Sequence, residues 1–225
     1  TEAQLSQRNW VMNVTTLSGD IGTLGDDSNN SYHVIFNNNN GLTNSAILDG
    51  FTITGGNESR NLPNGSGGGM YNVGVSPTIT NCIFTGNAAR YGGGMANNNS
   101  SPTITDCLFS NNAAYNDGGG IASINGTPVL RNCRFHANTA GIGGGMHNLG
   151  ASTNLFNCIF TSNTGTLNSG GIRNVNSTPT ITNCTFYGND SGTGGAMFST
   201  GSSAPVITNC IIWGNPNGIA NNSST

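Results

Sequence analysis

The feature that most constrains the fold of this chain is a repeat of about 25 residues. The stretch Ser76–Met95 reads S-P-T-I-T-N-C-I-F-T-G-N-A-A-R-Y-G-G-G-M, and variants of it return along the chain. Three series keep the same period: a cysteine, an apolar residue closing a glycine run, and an aromatic or Ile three residues before an Asn. The cysteines are separated by 25 or 26 residues, at Cys82, Cys107, Cys133, Cys158, Cys184 and Cys210. Three series in one register predict a solenoid whose repeats stack on one another.

One repeat can be divided into three short predicted strands. The first is the glycine run that ends at Met95, the second is Pro102–Thr105, and the third is Cys107–Phe109. Alternation along the third strand places both of its terminal side chains inside. Asn at the bends suits a left-handed backbone. The sequence therefore predicts an all-β, single-stranded parallel β-helix with three short strands per coil and about seven coils.

The repeat also suggests how the chain is organised. Residues 1–32 form a non-repetitive N-terminal segment, with one helical turn predicted over Thr1–Trp10 and a short strand from Val14. Residues 33–225 form the β-helix, whose repeats are regular from about residue 67. The final coil stops where the period calls for P-T-I-T, which would leave backbone groups unpaired. We therefore expect either continuation beyond residue 225 in a parent protein or end-to-end docking on another molecule.

Composition excludes two classes of partner. Only 7% of the residues are charged, the net charge is −3, and the six basic residues are scattered arginines, so no nucleic-acid footprint is present. No apolar run approaches the ~20 residues that span a bilayer, which argues against direct membrane insertion.

The cysteines predict neither disulfides nor a cofactor site. Cysteines of adjacent coils would lie ~4.8 Å apart and point the same way, a poor fit to disulfide torsions. A column of buried free thiols is the expected arrangement. Because zinc-type spacings are absent, no cofactor is predicted. The polar loop with Asp20, Asp26 and Asp27 is either a solvated turn or a calcium site.

Two motifs carry a resemblance to a known family. F-x-x-N, as in F-T-G-N, F-S-N-N and F-H-A-N, alternates with G-G-G-M or G-G-G-I. This pair resembles the GGA(I/L/V)–FxxN repeats of chlamydial-type polymorphic outer-membrane proteins, and more broadly the right-handed parallel β-helix repeats of large secreted bacterial surface proteins with a pectate-lyase-like fold. The resemblance implies export, a location at the cell surface, often adhesion, and no catalytic residues. Gly in place of Ala, and Met in place of an aliphatic residue, depart from the family pattern.

Outward positions on the predicted coils hold the candidate sites. After the glycine run, a flat face is expected to carry Tyr71, His147, Arg173 and Phe198, either as a glycan-binding face or as scattered surface side chains. On the third strand an apolar stripe is expected, formed by Ile83, Leu108, Ile159 and Ile211. A stripe of that kind would be covered by the N-terminal segment, by a missing segment, or by a partner chain.

An enzyme of the polysaccharide lyase or glycoside hydrolase type is disfavoured but kept open. Asp117 and Asp190 are expected in equivalent loops three coils apart, hence ~14 Å, beyond the ~5–9.5 Å of glycosidase pairs. Asp106 is expected to be structural, near Arg131. Three functions follow: a non-catalytic extracellular adhesin-like scaffold, a subunit stacking end to end into extracellular fibres, or a polysaccharide-binding or polysaccharide-cleaving domain.

Overall fold

The computed structural model describes residue 9, residues 12–58 and residues 65–222. The helical turn expected over Thr1–Trp10 lies outside the described residues, apart from Asn9. Within the described part, short parallel strands pile up into four sheets, and the chain visits the sheets in the same order on each coil. The parallel β-helix inferred from the repeat is confirmed.

Each coil contributes its strands to the four sheets in turn. The first sheet contains β2 (Ile35–Asn38), β6 (Met70–Val73), β10 (Met95–Asn98), β14 (Ile121–Ile124), β18 (Met146–Leu149), β22 (Ile172–Val175), β26 (Met197–Thr200) and β29 (Ile219–Asn222). The second contains β3 (Ile47–Asp49), β7 (Thr78–Thr80), β11 (Thr103–Thr105), β15 (Val129–Arg131), β19 (Asn154–Phe156), β23 (Thr180–Thr182) and β27 (Val206–Thr208). The third contains β1 (Thr15–Ser18), β4 (Phe51–Thr54), β8 (Ile83–Thr85), β12 (Leu108–Ser110), β16 (Arg134–His136), β20 (Ile159–Thr161), β24 (Thr185–Tyr187) and β28 (Ile211–Trp213). The fourth contains β5 (Asn57–Glu58), β9 (Ala88–Tyr91), β13 (Ala113–Asp117), β17 (Thr139–Ile142), β21 (Thr164–Asn168) and β25 (Asp190–Ser191).

Two details of the predicted coil are wrong. A coil has four strands rather than three, and the first strand begins at the apolar residue instead of ending there. The glycine run before it is a bend at which neighbouring coils nearly touch. A Cβ on Gly94 would lie 2.6 Å from the Gly120 carbonyl oxygen, and Gly92 has a φ of +65°. Glycine is therefore required at this bend by contact and by backbone conformation.

The N-terminal segment enters the β-helix at its edge. β1 pairs in parallel with β4, so the short strand expected after Val14 adds one rung to the third sheet. It is followed by a 3-10 turn over Asp27–Asn29. No helical segment among the described residues combines the length and the apolar composition needed to cross a bilayer.

The core consists of columns of like side chains. The phenyl rings from Phe84 to Phe186 are fully buried and stack at 4.5 to 5.1 Å between centroids. All six cysteines are free, five of them buried and Cys210 half-buried. Each thiol donates to a carbonyl two residues earlier, as Cys133 Sγ does to Arg131 O at 3.2 Å. The expected column of buried free thiols is confirmed.

A ladder of buried Asn side chains closes one corner of the coil. Asn138 illustrates its pattern: the backbone N–H and Nδ2 both donate to Asn163 Oδ1, at 3.1 and 3.0 Å. The same Nδ2 donates to Phe109 O in the preceding coil at 2.8 Å. The pattern repeats from Asn87 to Asn189, with Asn215 accepting at the end of the ladder. This ladder supplies partners for bent backbone that no sheet can pair.

A second corner depends on left-handed backbone. Between the second and third sheets, a single residue of each regular coil has a φ of 52 to 55°: Asn81, Asp106, Asn132, Asn157, Asn183 and Asn209. Asp106 is structural, as expected, but the predicted partner is wrong. Its carboxylate accepts from Asn132 Nδ2 at 2.9 Å, and Arg131 instead lies over the Phe156 ring at 5.6 Å.

Candidate functional site

The fourth sheet contains two bulges that the sequence did not lead us to expect. In β13, Tyr115 and Asn116 stand opposite the single residue Gly141 of β17. In β21, Thr166 and Leu167 stand opposite the same glycine from the other side. Gly141 is thus flanked on both sides by strands with an extra residue. Bulges of this kind are over-represented beside binding and active sites.

The two bulges enclose a cleft of about 500 Å³ on the outside of the β-helix. Its walls carry Tyr115 and Leu167, whose side chains are 81% and 66% exposed. Gly141 forms part of the lining, and a Cβ there would lie 2.9 Å from the carbonyl oxygens of Tyr115 and Asn116. The remaining lining residues are Asn116, Asp117, Ile142 and Thr166.

Asp117 connects this cleft to a charged cluster on the first sheet. Asp117 Oδ2 lies 3.5 Å from His147 Nδ1. Burial raises the pKa of Asp117 to about 6, although the Arg173 charge opposes this. Burial lowers the pKa of His147 to about 4, and the Arg173 charge acts in the same direction. At neutral pH the pair is therefore a carboxylate next to a neutral imidazole.

Three of the four residues expected on a common face do lie together. His147, Arg173 and Phe198 are aligned on consecutive strands of the first sheet. The Arg173 guanidinium lies 4.2 Å from the Phe198 ring centroid. Tyr71 lies near the other end of the sheet, 5.6 Å from Phe36 and 5.5 Å from His33 between ring centroids.

The expectation that this face is flat and open is wrong for part of it. His147 and Phe198 are only 7% and 8% exposed. The glycine bends before the strands fold close to this column: a Cβ on Gly194 would lie 2.9 Å from Phe198 Cβ. Asp117 also approaches His147 from the fourth sheet. The accessible part of this region is therefore the cleft beside Asp117.

The geometry provides little for acid–base catalysis. Asp117 aligns with Ile142, and Ile142 aligns with Asn168, whereas Asp190 aligns with Thr164 at the other side of the bulge. The two carboxylates are therefore not in equivalent positions, contrary to expectation. Asp117 is the only carboxylate that lines the cleft, and glycoside hydrolysis ordinarily requires two.

The candidate calcium ligands hold their own loop together. Asp20 Oδ2 accepts from the Gly25 N–H at 3.1 Å, and Asp26 Oδ1 caps the 3-10 turn through the Ser28 N–H at 2.9 Å. Asp27 Oδ1 accepts from Asn30 Nδ2 at 3.5 Å. In the described part of the chain, no three His, Cys, Asp or Glu side chains are grouped so that they could hold a metal ion.

The expected apolar stripe is on the outside of the third sheet. Ile83, Ile159 and Ile211 are 37 to 63% exposed, Leu108 is half-buried, and Arg134 interrupts the row. Beside Ile83 and Leu108 lies a groove of about 370 Å³, and Val14 forms part of its lining. Because β1 joins the edge of this sheet, the described part of the N-terminal segment leaves these isoleucines accessible.

The cleft residues Tyr115, Gly141 and Leu167 were missed by sequence reasoning, although a signal was present. From the ladder Asn to the bend of the glycine run there are five residues in most coils, but six from Asn112 to Gly118 and from Asn163 to Ser169. The extra residue lengthens two of the cysteine intervals from 25 to 26 residues. An uneven period in a repeat therefore marked the two bulged coils.

The fold and the corner ladders define a single-stranded parallel β-solenoid. The family model described as right handed beta helix region matches residues 21–178 and 108–225. The two matches together span most of the chain, so the chain belongs to the right-handed β-helix family. No curated protein and no solved structure matches it significantly.

Proposed function

We propose that the chain is a non-catalytic scaffold in an extracellular, adhesin-like β-helical protein. The observation that carries this proposal is the continuous buried ladder from Asn87 to Asn215, which ties the regular coils together through side-chain amides. A column of that kind makes a rigid support whose outer surface can vary without loss of the core. The resemblance of the F-x-x-N and G-G-G-M/I motifs to surface-protein repeats supports an extracellular location.

The absence of catalysis is proposed on the geometry of the single Asp–His pair. His147 is almost fully buried, and its only polar side-chain contact among the described residues is Asp117. With one carboxylate in the cleft, neither the two-carboxylate hydrolysis mechanism nor a triad is assembled.

Two measurements test the proposal. Purified protein incubated with a panel of polysaccharides is expected to release no reducing ends and no unsaturated products. Release that disappears in Asp117→Asn would contradict a non-catalytic role. Antibody labelling of intact producing cells is expected to detect the chain at the surface, and labelling only after permeabilisation would contradict the location.

Self-association is a further proposal, supported by the accessible isoleucines of the third sheet. Sedimentation velocity over a range of concentrations is expected to reveal association that weakens in the double variant Ile83→Ser/Ile159→Ser. A monomer at all concentrations would leave the scaffold without this partner.

A further inference from the structure

We propose that the cleft between the two bulges of the fourth sheet binds one ring of an uncharged saccharide, with Tyr115 as the stacking surface and Asp117 as an acceptor for sugar hydroxyls. This inference goes beyond the scaffold function, because it assigns a ligand class to a site on the outside of the scaffold. It also moves the site away from the buried column of the first sheet.

The shape of the cleft is the first argument. β13 and β21 lie on either side of β17, so the two bulges are two coils apart, about 9.6 Å at ~4.8 Å per strand. Between them Gly141 has no side chain to fill the space, and the cleft of about 500 Å³ is within the range of small-ligand sites. Its width and volume suit a single ring rather than a helix or a bulky side-chain cluster.

The chemistry of the walls is the second argument. A pyranose ring has C–H groups on its faces and hydroxyls around its rim. Tyr115 and Leu167 offer exposed apolar surface to such faces, and aromatic side chains are well suited to a ligand that is apolar on one side and wet on the other. The Thr166 hydroxyl and the Asp117 carboxylate also line the cleft and can bond to the rim.

The polar contacts of the cleft indicate which groups are fixed. The Asn116 amide donates to Tyr91 Oη at 3.0 Å, which holds the first bulge in place. Asp117 Oδ2 is positioned by the buried His147 at 3.5 Å. Because these two residues are held from behind, the carboxylate is oriented before a ligand arrives.

The charge of the cleft selects against other ligands. Asp117 is the only charged residue among those lining it, so an anionic sugar would face a carboxylate. A metal ion would find one carboxylate where several oxygen ligands are usual. An uncharged, hydroxyl-rich ring has neither problem.

Affinity electrophoresis provides the test, with native gels that contain mixed-linkage β-glucan, galactomannan or soluble starch. We expect at least one of these neutral polysaccharides to retard the full chain. In Tyr115→Ala the apparent dissociation constant should rise at least tenfold, and in Asp117→Asn it should rise several-fold. Tyr187→Ala is the matched control, since Tyr187 is also an exposed aromatic but lies on the third sheet. Its retardation should equal that of the unmodified chain.

Three outcomes would overturn the inference. They are the absence of retardation by all three polysaccharides, equal retardation of Tyr115→Ala and the unmodified chain, and retardation by polygalacturonate alone. Binding of unstructured peptides at the same site, measured by competition, would also contradict it. None of these bears on catalysis, so the inference can fail while the scaffold proposal stands. Circular dichroism of each variant confirms that the fold is retained.

Discussion

Removing one amide from the buried ladder tests the basis of the fold most directly. The side chain of Asn163 donates to Phe135 O at 3.0 Å and to Asn189 Oδ1 at 2.8 Å. Its Oδ1 accepts from the backbone N–H and from Nδ2 of Asn138, at 3.1 and 3.0 Å. Replacing it by Ala therefore removes four hydrogen bonds from a fully buried position.

The cost follows from what each former partner retains. Asn189 Oδ1 still accepts from the backbone N–H of residue 163, and Asn138 Nδ2 still donates to Phe109 O. The Asn138 backbone N–H loses its acceptor, which costs ~1–3 kcal/mol for an unsatisfied buried donor. The other three bonds contribute about 0.5–1.5 kcal/mol each. Asn163→Ala should lower the free energy of unfolding by about 4 kcal/mol.

Urea denaturation followed by far-ultraviolet circular dichroism measures this loss. Hydrogen exchange should find the amide of Asn138 protected in the unmodified chain and fast in Asn163→Ala. Asn154→Ala is the matched control, because Asn154 is exposed on β19, and it should change stability by no more than about 0.5 kcal/mol. Asn163→Asp keeps the volume and the two accepted bonds but loses the two donated ones, so it should also be strongly destabilised. If Asn163→Ala unfolds within about 1 kcal/mol of the unmodified chain, the ladder does not hold the corner.

Three further perturbations test the core, the bends and the charged pair. Phe135→Ala should cost ~3–5 kcal/mol in urea denaturation because the ring is fully buried between two others. Gly120→Ala should destabilise strongly, since its Cβ would lie 2.6 Å from Gly145 O, whereas Gly192→Ala, with nothing within 4 Å, should be neutral or slightly stabilising. Acidification from pH 6.5 to about 4 should lower stability through His147, whose folded pKa lies below its unfolded value, while acidification from about pH 6 to 3.8 raises stability through Asp117, whose folded pKa lies above it. In Asp117→Asn only the first effect remains, so thermal denaturation across this pH range should show a steeper loss on acidification than in the unmodified chain. Equal slopes would mean that the two side chains do not oppose each other.

The interior could be predicted from sequence because each column is written as one residue type per period. Cys107 and Phe109 are each matched one coil on, and alternation between them assigns the inside. The fourth sheet could not be found in this way, since its strands read A-A-R-Y, A-A-Y-N-D and T-A-G-I and share little beyond a small inward residue. Similarly, the glycine run looked like part of a strand because glycine carries no side chain that would reveal the bend.

The candidate site was predicted only to the level of a column. The alignment of His147, Arg173 and Phe198 follows from the period, and the structure contains it. Their burial does not follow, because it depends on how closely the glycine bends approach and on Asp117 reaching across from another sheet. Contacts between sheets are set by corner geometry, which a periodic pattern does not specify.

The extra residues in β13 and β21 explain how such a regular chain can carry a local site. The ladder Asn at one end of the strand and the glycine bend at the other remain in register between bulged and unbulged coils. An added residue between two fixed ends can only bulge, and the core already fills the inside, so it bulges outward. The first bulge then exposes Tyr115, and the second exposes Leu167, with the unbulged β17 leaving Gly141 between them. Deleting one residue from each bulge should therefore remove the cleft while the buried columns keep their stacking.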